Sequence, residues 1–327
     1  MKHDVVSIGN PLMDILIDVE EDFLKEINLV KGNMHLVDEK TIEEIEGKLD
    51  KNKIKLAPGG SEANTLTALA MLGHKVVYFG KVAEDAHGEQ YHNKLVESGV
   101  ISKVIKVGGV TGRAVTFITP DSERTFATHL GVAPELEDNE INEGDIMEAR
   151  FLHLTAYILL SEKTRKAAML ALEIAKKNNV KVCFDVADPN VVKGNKDIIK
   201  SVIEDYADIV IANEEEAKAF TGQEAESAVE TLSKLVGIAV VKIGREGSLI
   251  KEKDSIIRIP GFKANAVDTT GAGDIYAAGF LYGLLNDFSL DVCGKIASFI
   301  ASKVVEVKGA RLEKMPVDDI NRIKNGD

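Results

Sequence analysis

A chain of 327 residues can hold one large domain or two ordinary ones, at roughly 150 residues per domain. Its 45% hydrophobic and 28% charged residues exclude a disordered or fibrous chain, and 53 acidic against 40 basic side chains leave a net charge of −13. That acidity argues against nucleic acid or an anionic membrane as partner, so any anionic ligand has to be held by local groups.

Taken in chain order, a Val/Ile-rich run at 5–8 reads as a buried strand, and 15–38 reads as strand-like pieces around a short acidic helix. A helix is predicted over 61–72, closed by Gly73, then a strand at 76–79 and a helix at 89–98 closed by Gly99. Residues 104–130 carry KVIKV, GRAVTFITP and ERTFATHL without a long helix, and read as an antiparallel meander turning at Gly108-Gly109 and Pro120-Asp121. Beyond it, strands at 151–154, 180–186, 209–212 and 238–243 alternate with helices at 161–178, 214–220 and 225–236, and an apolar helix covers 275–285. Alternation of this kind predicts an α/β fold whose mainly parallel sheet is covered on both faces. The two β excursions are placed as a small flap beside the strand ends, where such folds bind ligands.

Cys183 and Cys293 lie far apart in apolar surroundings, with no C-x-x-C, so neither a disulfide framework nor a zinc site is expected. The longest apolar stretch falls short of the ~18 residues of a spanning helix, and Asp4 precedes any apolar run. A cytoplasmic protein without membrane association is the expectation. His87 and His92, near Glu84, Asp85 and Glu89, could be drawn as a metal site, but a solvated helix face is preferred.

The most informative segment is NAVDTTGAGD at 265–274, directly before the apolar helix. Two glycines at a helix mouth let backbone amides approach an anion, and the positive helix end adds attraction. Asp274 has two explanations, a helix N-cap or a base that takes the proton of a hydroxyl attacking the phosphoryl group held beside it. No G-x-x-x-x-G-K-[ST], G-x-S-x-G or H-E-x-x-H occurs in the chain.

Six segments in order, GNPLMDI (9–15), PGGSEANT (58–65), GKVAEDAHG (80–88), NEEE (213–216), KIGREG (242–247) and DTTGAGD (268–274), resemble the ribokinase family of carbohydrate and nucleoside kinases. The resemblance implies a three-layer α/β/α domain of residues 1–14, 38–103 and 131–327, with a small β lid of residues 15–37 and 104–130. It implies Asp274 as catalytic base and the Gly271, Ala272 and Gly273 amides as anion hole. Gly59, Gly60 and Asn64 would line the acceptor site, with Ser61 capping the following helix. Asp14 would clamp two neighbouring hydroxyls of the acceptor, with Asn10 beside it.

Asn213 and Glu216 match the N-x-x-E pattern that orders Mg2+ and phosphate through water, although the same spacing makes a capping box. Gly244 and Gly247 resemble the donor-nucleotide loop, and Lys242 either reaches a phosphate or is an exposed strand-end lysine. Arg124 would fold over the phosphates as a lid arginine, or pair at the surface with Glu123 or Asp121. Asp268 and Thr270 resemble positions that bind a monovalent cation such as K+. GNPLMDI, with KGNMHLVDE, TGRAV and ERTFATHLG, resembles the bacterial adenosine-kinase-like branch, which favours ATP-dependent phosphorylation of the 5′-hydroxyl of adenosine. Tyr157 is then the candidate platform for the base, or simply core. The alternatives are a sugar kinase acting on fructose, ribose or a 2-keto-3-deoxy sugar acid, and a non-catalytic member that binds nucleotide or sugar; monomer and homodimer are both open.

Overall fold

The computed structural model describes residues 1–121 and 123–326. The N-terminal third runs β1 (His3–Ile8), β2 (Leu12–Asp18), α1 (Glu21–Glu26), β3 (Met34–Leu36), α2 (Glu39–Gly47), β4 (Lys55–Pro58), α3 (Ser61–Met71), β5 (Val76–Ala83) and α4 (Ala86–Glu97). Then come β6 (Ile101–Val107), β7 (Gly112–Ile118), β8 (Arg124–His129), α5 (Glu143–Met147), β9 (Ala149–Thr155), α6 (Glu162–Lys177), β10 (Lys181–Asp185) and α7 (Pro189–Asp205). The remainder is β11 (Ile209–Asn213), α8 (Glu214–Thr221), α9 (Ala225–Leu232), β12 (Ile238–Lys242), β13 (Gly247–Glu252), β14 (Ser255–Pro260), α10 (Ala272–Leu285), α11 (Leu290–Val304) and α12 (Val317–Asn325).

Nine strands form the main sheet in the order β14-β13-β12-β11-β10-β9-β1-β5-β6. It is parallel from β12 to β6, and β13 and β14 extend it as an antiparallel edge. Neighbouring residues of β1 point to opposite faces, so Val6 and Ile8 enter one core with α6 to α9 while Val5 enters the other with α3, α10 and α11. This gives the three-layer arrangement. The chain first extends the sheet from β1 to β5 and β6, then returns to place β9 on β1's other side. That reversal opens a crevice at the carboxyl ends of the strands.

The second sheet has the order β3-β8-β7-β2-β4, with α1 and α2 packed on its outer face through Leu24, Ile42, Ile45, Ile15, Val115, Phe117 and Ala127. Its extent differs from the expected stretches 15–37 and 104–130. Residues 12–14 start β2, residues 39–58 add α2 and β4, and β6 belongs to the main sheet, paired in parallel with β5. Gly108-Gly109 is therefore a crossing between two sheets rather than a hairpin turn. The β7–β8 hairpin is antiparallel, as the Pro120-Asp121 signal implies.

Candidate active site

The loop before α10 is shaped by Asp268 and Gly271. Buried Asp268 accepts hydrogen bonds from the Thr270 amide (2.7 Å) and the Gly309 amide (2.5 Å), tying the loop to the chain after α11. Gly271 sits at the N-cap of α10 with φ +76°, and a Cβ there would lie 2.6 Å from Cβ of Ala310, so both conformation and space demand glycine. Among the described residues the amides of Gly271, Gly273 and Asp274 have no hydrogen-bond partner, whereas Ala272 donates to the Thr269 carbonyl at 3.2 Å. The Ala272 amide is thus engaged, and the unpartnered amides at this helix mouth are those of Gly271, Gly273 and Asp274. The Lys242 ammonium lies 3.0 Å from where a Gly273 Cβ would stand and pairs with Asp185 at 3.2 Å. It is a largely buried cation at the helix mouth, not an exposed strand-end lysine, and the carboxylates of Asp185 and Glu216 outweigh desolvation to keep it charged.

Asp274 is the third residue of α10, so it does not cap the helix. Its carboxyl is half-buried; its Oδ2 accepts from Asn64 Nδ2 at 2.8 Å. Desolvation pushes its pKa up to about 7; the Asn64 bond opposes this, Asp185 adds to it, and Lys242 and the Ser61 hydroxyl oppose it. A carboxyl titrating near neutrality is suited to taking a proton. Ser61 is the first residue of α3, whose N-cap is Gly60 at φ +92°, so Ser61 faces Asp274 instead of capping.

Asp14 lies close to the Asp274 carboxyl. Gly59 packs its bare backbone against both carboxylate oxygens, where any Cβ would collide with them, and Gly60 presses on the Asn10 carbonyl. Desolvation raises the Asp14 pKa to about 7, Arg311 holds it down, and Asp274 and Asp268 push it up. Arg311 Nε donates to Asn64 Oδ1 at 2.7 Å. Asn10 Oδ1 is buried without a partner among the described residues, ready for a donor. Asn10, Asp14, Gly59, Gly60, Ser61 and Asn64 are therefore one constellation around Asp274.

Asn213 and Glu216 form a complete capping box on α8: Glu216 accepts from the Asn213 amide (2.7 Å) and from its Nδ2 (2.6 Å), and the Asn213 Oδ1 accepts from the Glu216 amide. Burial raises the Glu216 pKa to about 7, countered by Lys242 and helped by Asp185. Among the described residues no cluster of three His, Cys, Asp or Glu side chains could cage a metal. Gly244 lines an open cleft of about 310 Å³ with Glu214, Ile243, Arg245 and Arg258, whereas Gly247 is required by the close approach of the β14 backbone.

Arg124 does not pair at the surface with Glu123 or Asp121. From β8 it reaches across to Asp268 and the Thr270 hydroxyl, while Asp121 pairs with Lys31. The side chains of Asp268 and Thr270 are thereby engaged by Arg124. A second tie between the sheets joins Lys308 to Asp18 at 2.9 Å. Strand register places Asp14, Ala114 and Thr128, then Leu16, Thr116, Phe126 and Met34, on the lid face opposite the small core. Leu16 approaches Gly309, so this face overlooks the site. Tyr157 follows β9 in a 3-10 turn, packed on the core, with Asp188, Asp274, Glu216 and Asp185 as its charged neighbours. His87 and His92 form no metal cluster; His92 meets Ser102, and Asp85 caps α4.

Three site residues have no counterpart among the sequence-based expectations. Arg311 lies outside every motif, two residues beyond Gly309, whose amide Asp268 holds. Asp185 has one signal, its place at the end of a predicted strand. Glu62 lies inside PGGSEAN but is buried under the site with Thr155 Oγ1 at 2.6 Å, and desolvation raises its pKa to about 7.

Asp14, Asn64 and Asp274 thus meet Lys242 and the unpartnered amides at the mouth of α10 in one site. Residues 28–317 match the model of the pfkB family of carbohydrate kinases, and the chain belongs to that family. It is an ATP-dependent kinase with a hydroxyl acceptor, of the carbohydrate or nucleoside kind. It is 33% identical to a 5-dehydro-2-deoxygluconokinase from Listeria monocytogenes, over 80% of this chain and 84% of the relative. It is 32% identical to a probable fructokinase-5 from Arabidopsis thaliana, over 75% of this chain and 79% of the relative. Among solved structures, the adenosine kinase from Sinorhizobium meliloti matches with a TM-score of 0.90 and 30% identity, covering 98% of this chain and 99% of that one.

Proposed function

We propose that the chain moves the γ-phosphoryl group of ATP to the 5′-hydroxyl of a nucleoside, adenosine before others. The carrying observation is the lid face: beyond Asp14, and past the buried Leu16 and Thr116, it ends in half-buried Phe126 and exposed Met34, apolar surface that a bare sugar would leave unused and a base would cover. Phe126 takes the platform role in preference to Tyr157, whose charged neighbours lie at the phosphate end. The near-complete match to a bacterial adenosine kinase supports the same acceptor.

In this mechanism Asp14 accepts the ribose 2′- and 3′-hydroxyls, which turns the 5′-hydroxyl toward Asp274. Asp274 takes its proton as the 5′-oxygen bonds to the γ-phosphorus and the bond to the β-phosphate oxygen breaks, leaving ADP. The Gly271 and Gly273 amides and Lys242 face the charge that develops on the phosphoryl oxygens. Arg124, turned from Asp268 to the phosphates, would add to this, and the lid would exclude water. Mg2+ bound to the phosphates would supply charge neutralisation there, and Glu216, beside Lys242 and Asp185, is the carboxyl that would meet its waters.

A sugar acceptor is the second reading, favoured by the names of the sequence relatives. An acidic sugar is the weakest form of it, because three carboxyls, Asp14, Asp274 and the buried Glu62, lie around that end beside Arg311. A non-catalytic binder is opposed by the intact base and the unpartnered amides. The test is ADP release from ATP and Mg2+ with adenosine, other nucleosides, ribose, fructose and keto-deoxy sugar acids. Highest kcat/KM for adenosine supports the proposal, preference for fructose or ribose replaces it, and no turnover on any acceptor favours the binder.

A further inference from the structure

Arg311 stands where the two halves of the site meet, and three observations give it a task. Its Nε donates to Asn64 Oδ1 at 2.7 Å, and Asn64 Nδ2 donates to Asp274 Oδ2 at 2.8 Å. A guanidinium can only donate, so it obliges the Asn64 amide to present its oxygen to Arg311 and its nitrogen to Asp274. Asn64 thereby fixes the Oδ2 side of the Asp274 carboxyl, with Ser61 beside the same carboxyl. The third observation is that Arg311 Nη2 is buried with no partner among the described residues, while Asp14, Tyr91, Tyr78 and Asp274 are its charged or phenolic neighbours. The guanidinium is neither a surface charge nor half of a closed ion pair.

We propose that Arg311 is the positioning residue of the transfer step, orienting the base through Asn64 while steadying the Asp14 clamp, so that diol binding and base geometry are set by one side chain. The proposal rests on the reading of Asp274 as base. Within one residue it joins the group that holds the acceptor to the group that activates it. A purely structural arginine would need neither the relay through Asn64 nor a buried donor left without a partner beside Asp14 and Asp274. Displacing a base by an ångström can cost on the order of 100-fold in rate, so the relay is worth having.

The charge state of Asp274 supplies a readout that packing alone would not move. The groups facing it are Ser61, Glu62 and Asn64 from α3, Asp185 from β10, Lys242 from β12, Tyr157 after β9, Asp14 from β2, and Arg311. Removing Arg311's charge takes away a neighbour that favours the carboxylate, so the pKa of the base should rise. The acidic limb of the pH profile should then move to higher pH.

The experiment uses the full chain with ATP, Mg2+ and adenosine, or with the best acceptor of the panel above, and compares wild type, Arg311→Met, Arg311→Lys and Asp274→Asn. Arg311→Met is expected to lower kcat roughly 10–100-fold, move the acidic limb of kcat to higher pH, leave KM for ATP unchanged, and recover part of its rate on addition of guanidinium. Arg311→Lys keeps the charge without the fork, so its limb should stay in place while kcat falls. Wild-type kcat in both Arg311 variants overturns the proposal. So does a loss of rate in folded Arg311→Met with an unmoved limb and no guanidinium rescue, which is the mark of a merely structural residue. If Arg311→Met does not fold, the lysine variant decides alone: lowered kcat on an unshifted limb supports the relay, and wild-type kcat overturns it. Wild-type turnover by Asp274→Asn would instead remove the base itself, a failure of the underlying reading that is separate from any result at Arg311.

Discussion

Replacing adenosine by 2′-deoxyadenosine removes one of the two hydroxyls that Asp14 would accept, with no change to protein, nucleotide or base. Asp14 is half-buried, fixed on one side by the Gly59 backbone and flanked by Arg311, so a hydroxyl bonded to it is sheltered and charge-assisted. Such a bond is worth about 1.5–3 kcal/mol net. At ~1.4 kcal/mol per factor of ten, adenosine should be preferred by roughly tenfold to more than a hundredfold in kcat/KM. The assay is coupled ADP release at a pH well above 7, because the Asp14 pKa is raised to about 7 and the clamp needs its carboxylate. Asp14→Ala removes a charged neighbour of Arg311 and weakens both substrates, so the informative quantity is the ratio between the two nucleosides in each protein. That ratio should collapse toward one in the variant while KM for ATP stays put. Equal use of both nucleosides by wild type would show that Asp14 does not hold the diol.

The pH profile should be steeper for kcat/KM than for kcat. Asp14 and Asp274 both have pKa values raised to about 7, both must be ionised to act, and each loses its function as pH falls through that value. The expected limiting slopes are two for kcat/KM and one for kcat, where bound diol keeps Asp14 ionised; a slope of one in both would mean that a single carboxylate matters. Gly59→Ala drives a methyl into the Asp14 oxygens and should raise the acceptor KM by about tenfold or more, leaving KM for ATP unchanged; steady-state kinetics with each substrate varied would show it. Arg124→Ala removes the tie to Asp268 and Thr270, so amide exchange in β7 and β8 should speed up and acceptor should restore less protection than in wild type. Identical exchange in both proteins would count against a lid latched by Arg124.

Much of the main sheet is legible because strands buried on both faces need unbroken apolar runs, as in VVSI of β1 and IVIA of β11. Helix α7 is not, since Pro189, Gly194 and Asn195 read as breakers; in the structure Asp188 caps the start, the proline occupies the first turn, and Asn195 marks a kink. Strand β6 carries the pattern of the lid strands and differs from them only in its partner, β5, which no local pattern specifies. In the site, residues borne on compact motifs, such as Asp274 and Asn64, were open to inference. Arg311 was not, because it lies just beyond a contact between Asp268 and Gly309, 41 positions apart, that only the packed fold reveals. The caps at Ser61 and Asp274 misled for one reason: a polar residue near a helix start normally satisfies amides, and here glycines take the N-cap positions so that those side chains can face each other.

The central claim is that Asp274 takes the proton of the attacking hydroxyl. The measurement that bears on it most directly is single-turnover phosphoryl transfer by Asp274→Asn, with ATP, Mg2+ and the preferred acceptor bound at saturation. Asparagine keeps the size and a bond to Asn64 but cannot accept the proton as a carboxylate does, so the transfer rate should fall by ~10²–10⁴-fold while acceptor and nucleotide affinities hold. Transfer at the wild-type rate by the folded variant would contradict the account.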